Sequence, residues 1–134
     1  MSDTETSTNL LIQLKEASQG LVYLSESESS FEVFIWEGQA SDGLTPEQVA
    51  QQTGHPADAS VQVMELSEFF RPTSGWFGSE EQEIADRFKT LENTLASNLT
   101  NIKVYRVGHI EIDVYIVGQH ANDLVGISTK VIET

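Results

Sequence analysis

The sequence contains no cysteine, which excludes disulfide bonds, thiolate catalysis and cysteine-ligated metal centres. Basic residues are scarce, with 7 lysines and arginines against 21 acidic residues and a formal net charge of −14. Such a charge repels the phosphates of nucleic acids and the surface of anionic membranes. We therefore expect no direct binding to nucleic acid or to membranes. A basic partner protein and acidity that serves solubility alone both agree with this composition.

Hydrophobic runs are short, and the first residues lack the basic and apolar blocks of a signal peptide. These absences predict a cytoplasmic protein. The 134 residues, 39% of them hydrophobic and 21% charged, suit one globular domain with its own core. We expect residues 1–8, MSDTETST, to form a flexible N-terminal tail and residues 9–134 to form the domain.

No arrangement of residues typical of a catalytic centre appears in the sequence. The histidines stand apart, without a second metal ligand at helical spacing; they are His55, His109 and His120. The carboxylates that remain as candidates for acid–base chemistry or for binding a hard metal ion are Glu26, Glu28, Glu32, Glu111 and Asp113. Glu26 and Glu28 have neither the apolar surroundings nor the basic neighbours of a catalytic acid. We predict that the protein is not an enzyme and needs no cofactor or metal of its own.

The spacing of apolar residues predicts three helices and five strands. Leucines from Leu10 to Leu21 recur at helical intervals, and Thr45-Pro46-Glu47-Gln48 is typical of a capped helix start. The longest helix is expected to begin near Glu80. Alternation of apolar and polar residues predicts strands over 31–36, 61–66, 102–107, 110–117 and 126–132. This order of elements is typical of an α+β domain in layers.

Two parts of the sequence place anionic groups beside ordered structure. In the stretch SESESSFEVFIWEG, Glu26 and Glu28 lie in an acidic loop next to a rigid strand, which is a way to present a binding determinant. The last strand is expected to run almost to Thr134, whose carboxylate is then either a placed anion or part of a frayed end. Trp76 lies in the loop RPTSGWFGS, and because tryptophan is enriched at interfaces we predict an exposed anchor for a partner.

Several segments, taken in order, resemble the nuclease A inhibitor (NuiA-like) family. They are SESESSFEVFIWEG, QQTGH, YRVG, EIDVYIVG and the ending LVGISTKVIET. The resemblance implies a single-domain three-layer α/β/α sandwich with a mixed, mostly antiparallel five-stranded sheet. It also implies a monomer that inhibits a Mg-dependent, sugar-non-specific endonuclease in a 1:1 complex.

In that family the inhibitor plugs the catalytic cleft with a glutamate of the acidic loop and with the terminal carboxylate. On this sequence the resemblance assigns those roles to Glu26 and Thr134, which would approach the partner's Mg, with Glu28 beside Glu26. Trp76 matches a family aromatic that contacts the enzyme, although RPTSGWFGS departs from the family pattern, as QASDG does. Two alternatives stay open: an acidic adaptor or DNA-mimic module that binds another basic protein, and a small carboxylate-based metal hydrolase.

Overall fold

A computed structural model describes residues 3–24, 28–36, 45–56, 59–75, 81–120 and 123–133. Within those ranges the helices are α1 (Asp3–Ser18), α2 (Pro46–Gln52), α3 (Leu66–Phe70) and α4 (Gln82–Asn98), and a 3-10 helix, η1, covers Arg71–Gly75. The strands are β1 (Val22–Leu24), β2 (Glu28–Ser30), β3 (Glu32–Trp36), β4 (Val61–Met64), β5 (Thr100–Gly108), β6 (Glu111–His120) and β7 (Asp123–Ile132). The chain is therefore an α+β protein, as predicted.

The main sheet has five strands in the order β3-β7-β6-β5-β4, and β1 and β2 form a separate two-stranded sheet. Each neighbouring pair in the main sheet is antiparallel. The prediction of a mixed sheet is therefore wrong. β3 and β4, which are connected through α2, run in the same direction, but β7, β6 and β5 lie between them, so they never pair.

The two faces of the main sheet are covered differently. On one face, which we call the first face, residues of α1, α3 and α4 pack against the central strands. The strand residues of this core are Val104, Ile112, Val114, Ile116, Val125, Ile127 and Val131. The opposite, second face carries a smaller cluster around Val49 of α2. Because α2 is a helix of seven residues with only Val49 and Ala50 buried, a complete third layer is not established, and the three-layer sandwich stays a prediction.

Local sequence explains where α2 begins and ends. The Thr45 hydroxyl accepts a hydrogen bond from the Gln48 N–H at 3.2 Å, and the Gln48 side chain accepts one from the Thr45 N–H at 2.9 Å. These bonds satisfy N–H groups that the first turn leaves without helical partners. Gly54 follows the helix with φ of +81°, a conformation that glycine adopts without strain. The predicted capped start and the predicted stop are both confirmed.

Other boundaries differ from the expectations. α1 begins at Asp3, inside the stretch expected to be a tail, and the division at residue 8 stays a prediction. The strand expected over 61–66 ends at Met64 and gives way to α3, because Leu66 and Phe69 have helical spacing and are buried on the first face. The alternation predicts Ile110 on the buried side, whereas its side chain is 60% exposed in the turn between β5 and β6.

Candidate functional site

The strands β1 and β2 form the two-stranded sheet, and we call these strands, residues 22–24 and 28–30, the acidic hairpin. β1 and β2 pair antiparallel, from Val22 opposite Ser30 to Leu24 opposite Glu28. Glu28, the first residue of β2, is exposed. The predicted acidic loop is therefore already a strand from Glu28 onward, while residues 25–27 lie outside the described residues.

Two hydroxyl groups anchor the base of the acidic hairpin. Buried Tyr23 donates a hydrogen bond to the carbonyl of Phe69 at 2.8 Å, and the two rings stack with their centroids 4.3 Å apart. The buried hydroxyl of Thr129, on β7, lies 3.0 Å from the Ser30 carbonyl and 3.2 Å from the Ser29 carbonyl. These contacts fix β1 against α3 and β2 against the last strand.

The acidic hairpin and the last residues of β7 lie at the same end of the main sheet. The register of β3 with β7 places Glu32 opposite Ser128. Because these strands are antiparallel, the residues before Glu32 run beside the residues after Ser128, in agreement with the contacts of Thr129 to β2. We call this end, where Glu28 and Glu133 both lie, the Glu133 end.

The sheet holds the 132–134 segment in place as far as Glu133. Ile132 is paired with Glu111 of β6, and the Glu133 N–H donates to the carbonyl of Ile110 at 3.0 Å. The Glu133 carboxylate also forms an ion pair with Arg106 of β5. The prediction of an ordered last strand is confirmed up to this residue, and Thr134 lies outside the described residues.

A polar groove of about 440 Å³ opens beside the acidic hairpin. Asp113 lines it, with its carboxylate 3.2 Å from His55 Nε2 and 3.9 Å from Lys130 Nζ. The groove is lined by Glu28, Ser29, Ser30, Glu32, Asp113, Tyr115, Ser128, Thr129 and Lys130. Its acidic groups and hydroxyls suit hydrogen bonds to a polar or cationic group rather than the burial of an apolar one.

His55 contacts two residues of the polar groove, which its lack of a second ligand at helical spacing in the sequence does not reveal. Its Nε2 lies 3.3 Å from the Tyr115 hydroxyl as well as next to Asp113. Burial raises the pKa of Tyr115, the hydrogen bond with Thr53 lowers it, and the Asp113 charge raises it again. These partners of His55 lie on β6, 60 residues away for Tyr115, and no short motif in the sequence signals contacts over that distance.

The structure describes one of the predicted partner-binding residues, Glu28, which lines the polar groove. Glu26, Trp76 and Thr134 lie outside the described residues. The sequence does not signal the ion pair of Arg106 with Glu133, since those residues are 27 positions apart and β6 separates the strand of Arg106 from β7, which Glu133 follows. Across the described ranges, no three histidine or carboxylate side chains come together as a metal site.

The fold and charge define an acidic α+β protein with two anionic segments at one end of its sheet. A family model for nuclease A inhibitor-like proteins matches residues 8–134. The chain belongs to the nuclease A inhibitor-like protein family, as the resemblance of its segments indicates. A search of curated proteins found no match. No helix within the described ranges is both long enough and apolar enough to cross a membrane.

Proposed function

We propose that the protein inhibits a Mg-dependent, sugar-non-specific endonuclease by occupying its active site. The family match over residues 8–134 carries this proposal. The protein acts in the cytoplasm as a monomer that binds one nuclease molecule, and it is not itself an enzyme. Its formal charge of −14 favours encounter with a basic cleft.

In this proposal, carboxylates of the inhibitor take the place of the substrate phosphate. A nuclease of this class holds phosphate oxygens beside a divalent metal and basic side chains, and carboxylate oxygens suit the same surroundings. Glu26, which lies in sequence between β1 and β2, and the carboxylate of Thr134 supply those oxygens, with Glu28 as a further acid beside them. The shared position of Glu28 and Glu133 supports this assignment, because one cleft can then receive both segments.

Rigid support for the two segments favours tight binding. Tyr23 and Thr129 fix the base of the acidic hairpin, and the sheet holds Glu133. Groups that are already ordered in the free protein lose less conformational entropy when a complex forms. The ordered neighbours of the two anions, β2 and Glu133, therefore reduce the entropic cost of forming the complex.

Trp76 supplies a further, aromatic contact with the nuclease. It directly follows η1, which ends at Gly75. The start of η1 is fixed to the domain, since the buried Thr73 hydroxyl donates to the Phe70 carbonyl at 2.6 Å. A tryptophan placed next to such a support buries a large apolar surface against a partner at low entropic cost.

The test is cleavage of plasmid DNA by a purified nuclease of this class, titrated with the intact protein and with a variant that lacks Thr134. We expect stoichiometric block by the intact protein. The truncated variant should bind about 30-fold to several thousand-fold more weakly, because removing one partner of a buried interfacial charge pair costs roughly 2–5 kcal/mol.

Three results would contradict the proposal in different ways. Absence of inhibition against a nuclease from the same genome would remove the inhibitor function itself. Binding of several unrelated basic proteins at low salt, equally well with and without Thr134, would favour the acidic adaptor instead. Inhibition by both forms with equal constants would keep the function and reject the role of Thr134.

A further inference from the structure

Arg106 connects distant strands at the Glu133 end. Its side chain is only 16% exposed, and its guanidinium forms the ion pair with the Glu133 carboxylate. A second guanidinium nitrogen, Nη1, lies 3.3 Å from the Gln62 side-chain oxygen on β4. Since β6 lies between β5 and β7, the Arg106 side chain reaches across a strand to hold the residue after β7.

The charge of Arg106 also acts on the base of the acidic hairpin. Burial raises the pKa of Tyr23 to about 12, and the Arg106 charge opposes part of that rise.

The position of Glu133 limits where Thr134 can lie, because consecutive Cα atoms are about 3.8 Å apart. Two contacts hold Glu133 in place. Its N–H donates a hydrogen bond to the Ile110 carbonyl at 3.0 Å, and its carboxylate forms an ion pair with Arg106. An ion pair between two exposed, mobile side chains contributes little. Arg106 differs because it is mostly buried and Gln62 also holds its planar guanidinium, so less rotamer freedom is lost when it binds Glu133.

We propose that Arg106 is a positioning residue, which orders Glu133 and thereby delivers Thr134 to the nuclease in a fixed orientation. Arg106 itself acts through Glu133 and does not touch the reacting atoms of the partner. The consequence for inhibition rests on the proposed function. The ordering of Glu133 rests only on the contacts described above and can be measured without a nuclease.

The first test combines Arg106→Gln with deletion of Thr134 in a double-mutant cycle. In the intact chain, Arg106→Gln should weaken inhibition about tenfold, since a hydrogen bond to a charged group contributes about 1.5 kcal/mol or more. In the chain without Thr134, the same substitution should weaken inhibition less than about twofold. Thr134, whose position Arg106 sets through Glu133, is then absent. Equal losses in both backgrounds would show a merely structural role and overturn the proposal.

A matched control lies on the same strand. Lys103 of β5 forms an ion pair with Glu65 at 2.6 Å, away from the 132–134 segment. Lys103→Gln should leave inhibition unchanged, whereas Glu133→Gln should reproduce the effect of Arg106→Gln. Glu133 is 55% exposed, so its substitution keeps the proposal testable if the loss of Arg106 prevents folding.

The second test measures the order of the 132–134 segment in the free protein. The NMR order parameter of the residue 133 amide should fall from about 0.85 to below about 0.6 in Arg106→Gln and in Glu133→Gln. Unchanged values would overturn the positioning role even if the intact protein inhibits a nuclease. A fall in these values in a protein that inhibits no nuclease would support the ordering by Arg106 and reject the proposed function instead.

Discussion

The acidic hairpin and the 132–134 segment present anions at the same end of the sheet but are held there in different ways. The acidic hairpin is a separate two-stranded sheet of three-residue strands, and such a pair is marginal without outside support. Glu133 directly follows a strand of ten residues that pairs on both sides within the main sheet. The hairpin therefore depends on a few side chains, whereas β7 depends on the whole sheet and only Glu133, after it, depends on single contacts with Ile110 and Arg106.

This difference predicts which substitutions act locally. The contacts of Tyr23 and Thr129 fix the hairpin without forming part of the pairing between the main strands. Losing one of them should loosen the hairpin and leave β7 intact. β7 does not depend on single side chains in this way, because its pairing with β6 extends to Ile132. Beyond Ile132, Glu133 depends on single contacts.

The largest expected effect comes from removing the carboxylate of Glu26. Glu26→Ala should weaken nuclease inhibition about 30-fold to several thousand-fold, because it leaves a buried positive group of the partner without its counter-charge, at roughly 2–5 kcal/mol. The measurement is the inhibition constant in the plasmid-cleavage assay. Glu47→Gln on α2, which removes one charge from an exposed position, serves as the control and should change the constant little. Equal constants for Glu26→Ala and Glu47→Gln would exclude Glu26 from the plug.

A smaller effect is expected from Thr129→Val, which keeps the shape of the side chain but removes its hydroxyl. The carbonyls of Ser29 and Ser30 then lose a donor, at a cost of about 1–3 kcal/mol in the free energy of unfolding. Hydrogen exchange should accelerate in the acidic hairpin, while the Glu133 amide stays protected.

The control for this substitution is Thr94→Val, because the Thr94 hydroxyl donates to the Thr90 carbonyl within α4 at 2.8 Å. It should leave exchange in the hairpin unchanged. If Thr129→Val accelerates exchange at Glu133 as much as in the hairpin, the two segments share one support and the comparison between them is wrong.

Sequence predicted the elements whose signals are local. The capping box at Thr45 is a pattern of four consecutive residues, and it forms as expected. The alternation of Ile112, Val114 and Ile116 places all of them on the buried first face. The five strands of the main sheet were predictable for the same reason, since each is long enough to show the period of a strand.

The candidate site was less predictable, because strand order and register bring its contacts together. The pairing of Asp113 with Lys130 follows from the register of β6 with β7. The contact of His55 with Asp113 further depends on where α2 lies over the second face. Strands of three residues, as in the acidic hairpin, are too short to show a period, so β2 looked like part of a loop. The direction of β3 beside β7 likewise has no local signal, and the mixed sheet that the family resemblance implied is wrong.

The smallest expected effect is a change in the free energy of unfolding with pH, which arises from Tyr23 at the base of the acidic hairpin. Burial raises the pKa of Tyr23 to about 12 in the folded protein, against about 10 in an unfolded chain. Between these values the folded state keeps a proton that the unfolded state has lost. The stability contributed by this difference is therefore complete below about pH 10 and is lost as the pH rises toward about 12.

Urea titrations at about pH 9 and about pH 11.5 measure this contribution as the difference in unfolding free energy between the wild type and Tyr23→Phe. That difference should shrink by at most about 1.4 kcal/mol per pH unit. Tyr105, whose pKa is also raised by burial and lowered by Lys103, lies on the second face. Tyr105→Phe should therefore change the pH response while leaving hydrogen exchange in the hairpin as it was. A constant difference between wild type and Tyr23→Phe across this range would mean that water reaches Tyr23, and that the hairpin base is looser than its contacts with Phe69 indicate.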